Sequence, residues 1–196
     1  GTDGAEILAR ARKLGAIPRA TARTRRALSV VVQRCPAMRI LTPPGPMGGE
    51  VAVEMGFDPT LLDQVLANET SATDTVASVR HIKNTKVDLI VFAGGDGTAR
   101  VIADEVTQKT PVLGIPCGVK MHSGVFTTSP EAAGRLMADF VEDKARVRFR
   151  EVEILDVDET ATRSDLIATC LYGYVRAPFV RRLVQSPKGG GPLADE

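Results

Sequence analysis

Val87-Asp88-Leu89-Ile90-Val91-Phe92-Ala93-Gly94-Gly95-Asp96-Gly97-Thr98 is the stretch that decides the fold. The apolar, β-branched run Leu89-Ile90-Val91-Phe92 predicts a buried strand, the glycines a tight turn, and the pattern over 99–106 a helix. Glycine admits backbone conformations closed to residues with a Cβ and lets a ligand approach the main chain. The first N–H groups of a helix starting near Thr98 lack intrahelical partners, and its positive dipole end faces whatever lies over the turn, which favours phosphate. Asp96 puts one carboxylate where that phosphate would lie. Such a group holds a metal ion or accepts a proton from an attacking hydroxyl; the alternative is a helix cap in an ordinary strand-to-helix connection. The spacing fits neither G-x-x-x-x-G-K-[ST] nor G-x-G-x-x-G.

Working outward, residues 38–42 predict a strand that ends in the loop Pro43-Pro44-Gly45-Pro46-Met47-Gly48-Gly49. In a parallel sheet this loop and the glycine turn share the carboxyl edge of the strands, so Gly45 and Gly48 are candidates for a second wall of one cleft. A surface turn before a helix over 50–55 is the alternative. Residues 61–66 fit either a short strand or a helix. The polar cluster from Thr70 leads a helix ending near Asn84, with Ser71 or Thr73 as N-cap. Asp74 and Thr75 there serve the cap or bind phosphate. Residues 112–115 predict another strand. Its exit loop carries Lys120 as a phosphate partner and His122 or Ser123 as donors, with a structural role as the alternative for His122. Ser129-Pro130 starts a further helix with Pro at its first position.

Two helices are expected before residue 35, and they carry Arg10, Arg12, Lys13, Arg19, Arg23, Arg25 and Arg26. That basic run is a solvated helix face or a contact to nucleotide phosphates. After Lys144 the period changes. Residues 147–158 alternate apolar and charged side chains, as a half-exposed antiparallel strand does, residues 165–175 read as another, and 186–196 form a loose tail. The expected fold class is α/β: a Rossmann-like parallel sheet with flanking helices over 1–145, followed by the beginning of an antiparallel β domain over 146–196. The opening has neither Met nor a strand before its first helix, so the expectation is a fragment that lacks its first βα unit and most of the β domain.

The chain has 196 residues, 43% hydrophobic and 25% charged, with a formal charge of +1. That balance gives no general call for nucleic acid or a membrane surface, and no apolar run approaches the length of a membrane span. Cys35, Cys117 and Cys170 are widely spaced without a C-x-x-C pair, which reads as reduced thiols in a cytoplasm.

The order GGDGT after a hydrophobic strand resembles the signature of the NAD kinase and diacylglycerol kinase superfamily, to which phosphofructokinases are more distantly similar. Pro44-x-x-Met47-Gly48, Thr73-Asp74-Thr75, residues 92–100 (FAGGDGTAR) and residues 114–126 (GIPCGVKMHSGVF) look like the ATP-NAD kinase-like, or acetoin-catabolism protein X-like, branch. The resemblance implies phosphoryl transfer from ATP or polyphosphate to the 2′-hydroxyl of NAD, with Mg²⁺. It implies Asp96 as general base or metal-linked carboxylate, and Gly94, Gly95, Gly97 and Thr98 as shapers of the phosphate site. It also implies nucleotides as partners and a homo-oligomer. The chain departs from typical NAD kinases in carrying Lys120-Met121-His122 where related loops hold asparagine. Two other functions stay open: a kinase of a lipid or small-metabolite hydroxyl, and a nucleotide-binding regulator without turnover.

Overall fold

The structure, a computed structural model, describes residues 13, 15, 19–66, 70–107, 109–118, 121–145, 147–157 and 169–180. Helix α1, Ala20–Arg34, buries Ala27, Leu28 and Val31 at helical spacing. It lies along α5, Pro130–Glu142, which starts at Ser129, whose hydroxyl accepts the Ala132 N–H at 3.1 Å. Ala133, Leu136, Met137 and Phe140 of α5 join the α1 face, Val51 and Ala52 of α2 (Gly49–Glu54), and Leu113 and Ile115 in one core.

Strand β3, Ile90–Gly94, pairs in parallel with β4, Val112–Pro116, from Ile90 opposite Val112 to Gly94 opposite Pro116. Successive residues of a strand face opposite sides. Leu113 and Ile115 therefore enter the core just described, whereas Ile90 and Val112 enter a second one with Val79 of α3 (Ala72–Lys83) and with Ala99 and Ile102 of α4 (Asp96–Ala103). Val152, Ile154, Val175 and Ala177 close this second core from an antiparallel hairpin, β5 (Arg148–Val157) with β6 (Thr169–Phe179), whose register shifts between Ile154 and Leu155. The change of period after Lys144 is thus a change from parallel to antiparallel pairing.

The α/β architecture is as expected; its details differ. The first expected strand shortens to β1, Leu41–Thr42, which pairs in parallel with β2, Thr60–Leu61, while β3 and β4 form a separate pair among the described residues. The strand before the glycine turn is displaced toward it, because Gly94 still holds a rung opposite Pro116. The last strand runs on to Phe179; residues 165–168 of the expected strand lie outside the described residues, as do the first expected helix apart from Lys13, and the 186–196 tail. The expected boundary at 145–146 falls in the connection from α5 to β5. Arg25 and Arg26 of the basic run, and Arg34 beyond it, hold Glu54, Glu131 and Asp139 at 2.6–2.7 Å across helix surfaces, exposed pairs that add little each. Among the described residues no helix is long and apolar enough to cross a membrane.

Candidate functional site

The sequence Gly94-Gly95-Asp96-Gly97-Thr98 folds as the end of a strand, one extended residue and the first turn of a helix. Gly94 makes the turn possible. Its carbonyl accepts the Cys117 N–H at 3.0 Å, and a Cβ on it would stand 2.6 Å from Thr98 Oγ1 and 2.7 Å from Thr98 Cβ. Thr98 and Ala99 return their N–H groups to Gly95 O at 3.1 and 3.0 Å, so the helix starts here and the N–H groups of Asp96 and Gly97 precede its first intrahelical acceptors. A Cβ on Gly95 would meet nothing within 4 Å, which leaves that side of the turn open to an approaching group.

Asp96 stands one position past the N-cap and reaches the loop that leaves β4. Its Oδ2 accepts the His122 N–H at 2.8 Å and its Oδ1 accepts the Ser123 N–H at 2.9 Å. An ionised carboxylate has about four lone-pair sites, so each oxygen retains one for a further partner. The loop is itself anchored: the buried Ser123 hydroxyl donates to Leu155 O at 2.8 Å and accepts the Leu155 N–H at 3.0 Å, and Gly124 N–H donates to Glu153 O at 2.9 Å. This occupies the hydroxyl that sequence reasoning offered to a phosphate.

Two arginines, one on α1 and one on α4, tie these helices to their neighbours. Arg23 of α1 donates to Pro116 O at 3.1 Å, on the residue paired with Gly94. Arg100 of α4 lies 4.1 Å from the centre of the Tyr172 ring and 3.9 Å from the Asp156 carboxylate. Burial pushes the Cys117 thiol up to about 11, against the opposing pull of Arg23, so this cysteine is a protonated, unreactive neighbour at neutral pH.

The other expected residues lie on other elements. Gly48 takes φ +146° and Gly45 φ +58°, conformations that make the loop, which closes on itself through Gly49 N–H to Pro43 O at 3.0 Å. Gly45 lies 3.9 Å from Leu66, measured from where its Cβ would stand, while Gln64 donates to the carbonyl of Asp74 at 3.2 Å. Asp74 accepts both the N–H and the hydroxyl of Ser71 through Oδ2 at 2.7 and 2.9 Å, which caps α3 and holds its carboxyl below the usual range. Thr75 turns its hydroxyl back to Ser71 O. A hollow of about 450 Å³ is lined by Gly45, Gly49, Glu50, Val53, Glu54 and Leu61. No main-chain hydrogen bond among the described residues joins these residues to the glycine turn. The expected single sheet is two hydrogen-bonded strand pairs among the described residues, with Gly45 and Gly48 following one and the glycine turn following the other. Lys120 lies outside the described residues.

Sequence reasoning missed the main-chain donors that hold Asp96 and the positions of Arg23 and Arg100. A main-chain N–H has no residue signature; the arginines were visible only as members of a basic run and of the GGDGTAR string.

No curated protein and no solved structure matches the chain. Residues 6–145 match the family model described as the ATP-NAD kinase N-terminal domain. That match covers more than half of the chain, so the chain belongs to the NAD kinase family.

Proposed function

We propose that the protein transfers a phosphoryl group from ATP or polyphosphate to the 2′-hydroxyl of NAD, giving NADP. Family membership supports the kinase class, since NAD kinases generally use ATP and NAD with a divalent cation. The observation that carries the reading is Asp96, fixed by two main-chain N–H groups beside the open first turn of α4.

In the proposed step the ribose 2′-oxygen attacks the terminal phosphorus and a new O–P bond forms. The P–O bond to the donor breaks, its electron pair leaves with ADP or the shortened polyphosphate, and the hydroxyl proton passes to Asp96. The N–H groups of Asp96 and Gly97 and the dipole of α4 favour the charge gathering on the transferred group. Gly94 and Thr98 set the distance between that turn and the strand. Among the described residues no three His, Cys, Asp or Glu side chains converge on a metal position, and both Asp96 oxygens already accept N–H bonds. Each Asp96 oxygen keeps one lone pair beside its N–H bond, so Mg²⁺ would arrive on the phosphates of the incoming nucleotide and Asp96 would be the carboxylate that meets it.

The test is product analysis after incubation with NAD, Mg²⁺ and either ATP or polyphosphate. NADP phosphorylated at the 2′ position is expected from at least one donor. Donor consumption with a different hydroxyl compound, and none with NAD, would overturn the choice of acceptor.

A further inference from the structure

We infer that Ser123 is a positioning residue for Asp96, and that the bulged section of the β5–β6 hairpin is the frame against which the carboxylate is held. The inference rests on the reading of Asp96 as the reacting carboxylate. Ser123 presents its two polar groups to two different parts of the protein: the N–H goes to Asp96 Oδ1, and the hydroxyl both donates to and accepts from the main chain of Leu155. The residue is 1% exposed, so water does not substitute for either partner, and an unsatisfied hydroxyl there would be costly. Leu155 stands where the ladder changes register, and such bulges redirect main-chain groups out of regular pairing. A Cβ on the next residue, Gly124, would come within 3.0 Å of Val152 Cβ, so loop and strand are in close contact. The helix that carries Asp96 is tied to the same section independently, through Arg100 with Asp156 and Tyr172. Both the carboxylate's helix and the loop that grips it thus meet one stretch of the hairpin.

The experiment compares the protein with Ser123→Ala, Asp96→Asn and the double variant by amide hydrogen exchange at residues 122 and 123, steady-state NADP formation and thermal melting. Ser123→Ala removes both hydrogen bonds to Leu155 and is expected to speed exchange of both amides, and to lower kcat, by about tenfold or more. KM for both nucleotides should hold, and the double variant should be no slower than Asp96→Asn alone. If Ser123→Ala does not fold, Ser123→Cys keeps a side-chain donor, weaker and slightly larger, and should show the same effects at smaller size. Unchanged amide exchange, or a kcat loss that repeats in full in the Asp96→Asn background, would overturn the inference. Absence of NADP formation by the unaltered protein would overturn only the catalytic reading, because amide exchange reports on Ser123 without turnover.

Discussion

Of the glycine-bearing connections that follow strands, those at 43–49 and 94–98 solve different problems. The connection at 43–49 uses its glycines for its own path: Gly45 and Gly48 sit at positive φ, and the loop bonds to itself. The connection at 94–98 has no positive φ at all. Its Gly94 is needed because Thr98 stands where a Cβ would be, and its partners come from distant chain, His122, Ser123 and Cys117. Glycine content alone does not separate a turn from a site; what separates them is whether the freed space is filled by the loop itself or left beside a polar group held from elsewhere.

That contrast breaks first at Gly94. Gly94→Ala should force Thr98 and the first turn of α4 to move, and a displacement of about 1 Å there should cost roughly 10²-fold in kcat. Gly48→Ala should act on stability, by about 1–3 kcal/mol, since φ +146° is strained for alanine and its Cβ would collide with Thr42 Oγ1. Chemical denaturation separates the two: a kcat loss at Gly48 equal to that at Gly94, with unchanged stability, would put the 43–49 loop in the site and erase the difference. Gly45→Ala is expected to cost less, about 1 kcal/mol, because φ +58° lies in the left-handed region and the nearest atoms are 3.8 Å away.

The smallest effect is expected from Cys117, which lies beside the Gly94 carbonyl. Burial raises its thiol from 9.0 to about 11, so the folded state keeps a proton that the unfolded chain loses first. Its contribution to stability is complete below pH 9.0 and fades as pH climbs through about 11. The difference in urea midpoint between the protein and Cys117→Ala should shift in that window, and no shift there would mean that water reaches the turn.

The strand, turn and helix around Asp96 were legible because period and glycine order are local signals. The cap at Asp74 was legible for the same reason, from Ser71 and the acid that follows it at helical spacing. The grip on Asp96 was not, since its donors are main-chain groups 26 and 27 residues away. The separation of β1–β2 from β3–β4 was hidden too: a strand as short as Thr60–Leu61 has no period to read, so the shared edge was inferred from order along the chain alone. Ser123 was read correctly as a hydrogen-bonding residue and assigned the wrong partner, because Leu155 contributes only its backbone.

The most direct measurement of the central claim is kcat for NADP formation by Asp96→Asn beside the unaltered protein, with amide exchange at 122 and 123 followed in both. A drop of about 10²–10⁴-fold with a folded variant is the expected result for a lost general base. A drop below about tenfold would contradict the assignment and leave Asp96 as the fastening of a loop.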